Sequence, residues 1–181
     1  VDVVRFELLK VLLVDDNQHM RILLMEILRA VGVRHVFEAT DGVEALAVMR
    51  QTAIDVVITD LSMGPLDGLH FVQLLRRAPE SPNPYTPVIM ITGHSTERRV
   101  NEARDVGVNE FLAKPVTARA VIDRLTQLIE NPRPFVRSGN YFGPDRRRRE
   151  SPRHPGPWRR GDENRSTFVD APSETKFTPR A

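Results

Sequence analysis

The chain has 181 residues, no cysteine, 40% apolar and 28% charged residues, enough for one domain plus an appendage at about 100–200 residues per domain. The absence of cysteine excludes disulfide frameworks, zinc–thiolate sites, iron–sulfur clusters and cysteine nucleophiles. No run approaches the roughly 18 apolar residues of a spanning helix, and Val1-Asp2-Val3-Val4-Arg5 lacks a signal peptide's order, so a soluble cytoplasmic protein without membrane contact is expected. The net charge of +2 hides a split: residues 1–130 carry 14 basic against 18 acidic residues, and residues 131–181 carry 12 against 6 together with eight of the 14 prolines.

Val11-Leu12-Leu13-Val14 is a continuous apolar run, the pattern of a strand covered on both faces. Asp15 and Asp16 end it. Met20, Leu23, Leu24, Ile27, Leu28 and Val31 then recur as one face of a helix, and Gly32 follows where a helix end favours positive φ. Val36 to Ala39 reads as a second strand, and Asp41-Gly42 as the turn into a second helix. Val56 to Thr59 makes a third strand ending at Asp60, with Leu69, Val72 and Leu75 marking its helix. Four prolines between Ala78 and Pro87 require a loop. Val88 to Ile91 is the fourth strand, ending at Thr92; Ser95 or Thr96 caps a helix that stops at Gly107. Glu110 to Ala113 is a brief fifth strand ending at Lys114-Pro115. Val121, Ile122, Leu125, Leu128 and Ile129 line a last helix, which Pro132 prevents from continuing.

Five β-then-α units imply a parallel, doubly wound sheet with helices on both faces. Ligands bind such sheets beyond the carboxyl ends of the strands, where strand order reverses. Asp15, Asp16, Asp60, Thr92 and Lys114 all fall at strand ends, so all open onto that edge. Carboxylates gathered there repel one another unless a cation or protons intervene. Mg²⁺, which takes oxygen ligands beside phosphate, is the natural answer. A carboxylate so placed can attack a phosphoryl donor, while Lys114 and Thr92 contact the phosphoryl oxygens.

The ordered set Leu13-Val14-Asp15-Asp16-Asn17, Ile58-Thr59-Asp60-Leu61-Ser62-Met63, Ile91-Thr92-Gly93 and Phe111-Leu112-Ala113-Lys114-Pro115 resembles the response-regulator receiver domain of two-component signalling, of the chemotaxis type. The resemblance covers about residues 8–130. It implies a flavodoxin-like (βα)5 fold with strand order 2-1-3-4-5. It makes Asp60 the phospho-acceptor, Asp15 and Asp16 the acid pair for Mg²⁺ with Asp16 the direct ligand, and the Ser62 backbone carbonyl a further ligand. Thr92 becomes the switch hydroxyl, Lys114 the phosphoryl partner, Phe111 the aromatic switch residue and Pro115 a cis-proline. Asp67-Gly68 also matches. One departure is Gly64 between Met63 and Pro65, where the family usually has Pro directly; it relaxes the loop beside the metal-ligating carbonyl.

Each residue also has a plainer reading: Asp15 and Asp16 as helix caps, Lys114 as a solvated lysine, Thr92 as a strand end, Phe111 as partial core. Their joint placement favours the site. His19, His35, His70, His94 and His154 show no metal spacing. No phosphate-binding Gly-Lys-Ser/Thr loop, dinucleotide Gly-x-Gly-x-x-Gly or Gly-x-Ser-x-Gly elbow occurs, which disfavours nucleotide-binding folds and α/β-hydrolases. Asp15-Asp16-Asn17 likewise lacks the Asp-x-Asp of haloacid-dehalogenase-like phosphatases.

The expected division is a receiver over residues 1–131 and a basic, disordered tail over 132–181. Gly143-Pro144-Asp145-Arg146-Arg147 and Gly156-Pro157-Trp158-Arg159-Arg160 share one form, and Phe135, Tyr141, Phe142 and Trp158 punctuate the charges. The implied protein is a stand-alone receiver taking a phosphoryl group from a histidine kinase or histidine phosphotransfer protein. It signals through its fourth helix, fifth strand and fifth helix, or through the tail, and turns over no separate substrate. The alternatives are a phosphorylation-independent binding module and, less favoured, a nucleic-acid-associated regulator acting through the arginines.

Overall fold

The structure, a computed structural model, describes residues 6–93, 97–146 and 167–169. After a turn of 3-10 helix at Phe6–Leu8, ten elements alternate: β1 (Lys10–Val14), α1 (Gln18–Ala30), β2 (His35–Ala39), α2 (Gly42–Gln51), β3 (Val56–Asp60), α3 (Gly68–Arg77), β4 (Val88–Thr92), α4 (Glu97–Val106), β5 (Glu110–Ala113) and α5 (Ala118–Glu130). The five strands form one parallel sheet in the order β2-β1-β3-β4-β5, as expected. Among the described residues no helix is long and apolar enough to cross a membrane.

Alternation along the strands divides the core between the two faces of the sheet. Leu12, Val14, Val57, Val88 and Met90 pack under Ala45 and Met49 of α2, Phe71, Val72 and Leu75 of α3, and Ala103 of α4. Val11, Leu13, Val56, Ile58, Ile89 and Ile91 pack under Leu24 and Leu28 of α1 and Val121, Leu125 and Leu128 of α5. Every residue of β3 and β4 is buried, which is why both read as unbroken apolar runs. Leu23, placed by its spacing on the inner face of α1, instead turns outward at 45% exposure. Asn17, Asp41 and Asp67 cap the starts of α1, α2 and α3 by accepting from the backbone of the first turn. Gly32 and Gly107 adopt φ of 101° and 99°, the conformation that ends α1 and α4.

The expectation of disorder from residue 132 is corrected for part of that segment. Phe135–Ser138 (β6), Tyr141–Pro144 (β7) and Thr167–Val169 (β8) form a three-stranded antiparallel sheet in the order β7-β6-β8. A two-residue loop, Gly139-Asn140, joins β6 to β7, with Gly139 at φ 53° supplying the left-handed conformation that a tight hairpin needs. Phe135, Val136, Tyr141 and Phe142 are buried. Phe135 and Phe142 meet each other and Tyr85 of the proline-rich loop, with ring centroids 5.2–5.6 Å apart. Composition predicted disorder, but four apolar side chains with a cavity edge to fill outweigh the local charge. His94, Ser95 and Thr96 lie outside the described residues. So do His154, Trp158 and the arginines from Arg147 to Arg160.

Beneath this small sheet Arg76, at the end of α3, is buried at 3% exposure. Its guanidinium donates to the carbonyls of Pro84 (2.7 Å), Thr86 (2.8 Å) and Gly107 (3.1 Å) and to Asn109 Oδ1 (3.1 Å), and lies 5.1 Å from the Phe135 ring centroid. Burial pushes its pKa down to about 9, so it remains charged at neutral pH. It gathers the end of α3, the loop before β4 and the start of β5 at one point. Arg76→Met should remove those donors while keeping an apolar stem, and lower stability by about 3 kcal/mol, as for other buried charges whose partners are left unpaired. Urea unfolding of the full chain measures this; an unchanged midpoint would mean that the four acceptors find other donors.

Candidate functional site

Strand register assembles the site. Val14 pairs with Thr59, so Asp15 and Asp60 end neighbouring strands at the same level. Asp60 pairs with Ile91 and Thr92 with Ala113, which sets Thr92 and Lys114 successively further out on the next two strands. The strand order reverses at β1, between β2 and β3, so the group sits at the switch point of the sheet.

Asp60 is 5% exposed, and its two oxygens are both engaged. Lys114 Nζ lies 2.9 Å from Oδ1, and the Ser62 amide donates to Oδ2 at 3.0 Å. Asp15 is 2% exposed; its Oδ1 accepts from the Asn17 amide at 2.8 Å, while its Oδ2 is buried with no hydrogen-bond partner. Thr92 is 6% exposed and its Oγ1 is likewise without a partner. Asp16 and Ser62 are exposed at the rim. Phe111 is half-buried on β5 and packs against the α2–α4 side of the core. Lys114–Pro115 is cis, as the resemblance implies, and Gly64–Pro65 is cis as well.

Desolvation raises the pKa of Asp15 above the ordinary carboxylate range, opposed by the Asn17 amide and reinforced by the charge of Asp60. Among the described residues no three Asp, Glu or His side chains are gathered closely enough to form a ready-made cation cage. The donor chemistry nevertheless fits a hard cation bound through few protein ligands: a buried carboxylate oxygen without a partner, an exposed carboxylate beside it, and carbonyl and carboxylate oxygens from β3 and its loop. An unpartnered buried oxygen costs about 1–3 kcal/mol, and a bound cation would relieve it at Asp15.

One residue of the site escaped the sequence, and two glycines that the sequence marked differ in what packing demands of them. Arg21 Nη1 donates to the Asp15 carbonyl at 2.7 Å while its Nε lies 3.0 Å from Glu38, tying the acid loop to β2. Its position four residues after the Asn17 cap, one helical turn on, was the available signal. Gly68 is required by close packing, since a Cβ there would lie 2.2 Å from the Asp60 carbonyl oxygen. Gly64, by contrast, has open space around its would-be Cβ and no positive φ, so no steric demand holds a glycine there.

Solved structures with this arrangement include the chemotaxis response regulator CheY4 of Vibrio cholerae, 32% identical, with a TM-score of 0.61 over 66% of this chain and 98% of that one. The signal receiver domain of a signal transduction histidine kinase from Syntrophus aciditrophicus is 25% identical, with a TM-score of 0.60 over 68% and 91%. These define a receiver fold. In sequence, chemotaxis protein CheY-3 of Vibrio cholerae is 33% identical over 122 residues, 67% of this chain and 92% of that protein. Chemotaxis protein CheY of Pseudomonas aeruginosa is 30% identical over 67% and 97%. Residues 11–126 match the response regulator receiver domain, and the chain belongs to that family. It is therefore a chemotaxis-type receiver of two-component signalling with a C-terminal extension. Such receivers are signalling proteins rather than classical metabolic enzymes, and they generally bind Mg²⁺ at the acidic pocket.

The raised Asp15 carboxyl has a consequence for stability. Its folded-state pKa lies above its unfolded-state value, so the folded chain holds the proton more tightly. Stability from this group is greatest below the ordinary carboxylate pKa and falls as pH rises through the raised one. Asp15→Asn should thus raise the urea midpoint at neutral pH without Mg²⁺ and flatten the pH dependence in that acidic window. A lower midpoint would show that the charged form is stabilised by its surroundings.

Proposed function

We propose that this protein is a response regulator whose receiver accepts a phosphoryl group on Asp60 from a histidine kinase or histidine phosphotransfer protein, and signals through protein–protein contacts. The observation that carries the reading is the Asp60–Lys114 pair at the switch point, with the unpartnered oxygens of Asp15 and Thr92 on the flanking strand ends. In the transfer, an Asp60 oxygen attacks phosphorus. The P–N bond of the phosphohistidine breaks, its electron pair leaves with the imidazole nitrogen, and an acyl phosphate forms. Asp15, Asp16, Asp60 and the Ser62 carbonyl would hold Mg²⁺, which supplies charge neutralisation for the phosphoryl oxygens. Lys114, already at the acceptor, takes one phosphoryl oxygen; the Thr92 hydroxyl, lacking a partner, donates to another. The half-buried Phe111 on β5 serves as the aromatic element of the switch, and the surface of α4, β5 and α5 meets the output partner. The chain modifies itself and turns over no separate substrate.

Acetyl phosphate with Mg²⁺ should add one phosphoryl group by intact mass, and Asp60→Asn should abolish the addition; unchanged labelling of that variant places the acceptor elsewhere. Asp16→Ala removes a ligand and attractive charge from a hard-ion site. Mg²⁺ affinity should fall at least about tenfold, or 1.4 kcal/mol. Equal affinity by titration would assign the metal to other residues.

A further inference from the structure

The small C-terminal sheet lies at the opposite end of the receiver from Asp60. The sheet and its flanking residues Arg133 and Arg146 contact the end of α3, the end of α4, the proline loop before β4 and the start of β5, which together form the amino-terminal edge of the parallel sheet. The elements it holds are the ones that reach the acceptor. α3 begins at Gly68, packed on the Asp60 carbonyl, and ends at Arg76 under Phe135, about 12 Å along the helix at 1.5 Å per residue. Lys114, directly after β5, is paired with Asp60, and β5 begins at Glu110, about 13 Å away along the chain. There Arg133, just before β6, lies 3.5 Å from Glu110 and donates to the Asn109 carbonyl. Asn109 in turn accepts from Arg76 and from the Val88 amide that opens β4, the strand carrying Thr92 at its other end.

The dock combines the buried aromatic cluster of Phe135, Phe142 and Tyr85 with separable polar anchors. Arg146 lies 4.4 Å from the Tyr141 ring centroid and pairs with Asp105 of α4 at 2.6 Å, an exposed bridge of small worth. Gly143 comes so close to Gly107 that a Cβ would lie 2.9 Å from its Cα. Between the hairpin and the end of α3 an open cavity of about 380 Å³ remains, lined by Arg77, Tyr85, Arg137 and Asn140 among others. Such an interface depends on the relative positions of α3, α4 and β5, because its anchors are spread over all three.

We propose that the C-terminal sheet is an intramolecular reader of the acceptor site, docked while Asp60 holds Lys114 and loosened when a phosphoryl group draws Lys114 and Thr92 outward. The proposal rests on Asp60 being the acceptor and adds to it the partner that first senses the change. Lys114 lies on Asp60 Oδ1 just beyond one end of β5, while Asn109 and Glu110 at the other end meet Arg76 and Arg133; in this proposal a displacement of Lys114 towards the phosphoryl oxygens is carried along β5 and weakens those contacts. By linkage, weakening the dock must favour the phosphorylated-like state by the same factor.

The test uses the full chain with Mg²⁺ and beryllium fluoride, a phosphoryl mimic whose binding is an equilibrium. Amide exchange over residues 135–144 should quicken about fivefold or more on binding, and Asp60→Asn should remove the response. Phe142→Ala, which takes a ring from Tyr85 and Phe135, and Arg133→Gln, which leaves the aromatic cluster intact, should each bind the mimic more tightly than wild type. If acetyl phosphate labels Asp60 yet exchange over 135–144 is unchanged or slower, and both variants bind the mimic as wild type does, the coupling is refuted while the acceptor reading stands. If Asp60 takes neither phosphoryl group nor mimic, both fall together.

Discussion

Two carboxylates ending adjacent parallel strands are forced side by side by the backbone ladder, whatever their charge. Here the register of β1 on β3 puts Asp15 beside Asp60, both nearly buried, and the chain meets the resulting repulsion with a single lysine from β5. Lys114 compensates Asp60; Asp15 retains an unpartnered oxygen and a raised carboxyl pKa. The site is thus built with less positive charge than its geometry calls for. A bound cation would supply the missing charge, and receivers of this family generally bind Mg²⁺ at the acidic pocket.

Charge is handled differently at the other edge of the same sheet. Arg76 is also buried, but its donors are met by three carbonyls and an amide oxygen rather than by an acid. Neutral acceptors hold a guanidinium by direction and number, so the arrangement specifies geometry more than it stabilises. That suits a junction. The ends of α3 and α4 and the starts of β4 and β5 are held to one planar group, over which the Phe135 ring is laid.

The parts of this architecture legible in the sequence were those governed by local chemistry. Unbroken apolar runs marked β1, β3 and β4 because both faces are covered, and polar residues at their ends marked the site because nothing apolar can follow a strand into the crevice. Gly32, Gly107 and Asp41 signalled helix ends through backbone conformation and capping. What depended on tertiary surroundings was lost. Leu23 satisfies the helical spacing of α1 yet faces outward, because α1 covers the sheet along the narrower line of Leu24 and Leu28. Arg76 reads as one of two charges at a helix end, and only its carbonyl cage explains its burial. The hairpin had a local signal, Gly139-Asn140 between two apolar pairs, but proline and arginine content around it favoured disorder. Composition averages over a segment; a hairpin needs only four well-placed side chains and a surface to receive them.

Two glycines soon after Asp60 differ in what the packing demands of them. At Gly64 a side chain would meet nothing, so the outer part of the β3–α3 loop is free of steric demand. At Gly68 the helix backbone lies against the Asp60 carbonyl so closely that even a methyl group would displace one from the other. The Gly68 amide also donates to the Leu61 carbonyl at 3.1 Å, closing the loop on itself. The loop is therefore unconstrained on its solvent side while its inner side is one body with α3. A shift of the β3 backbone at Asp60 would be passed to the first turn of α3. A hydrogen-bonded helix of ten residues has no soft joint in which to absorb it. α3 thus joins the Asp60 backbone at one end to Arg76 at the other, over which Phe135 of the C-terminal sheet lies.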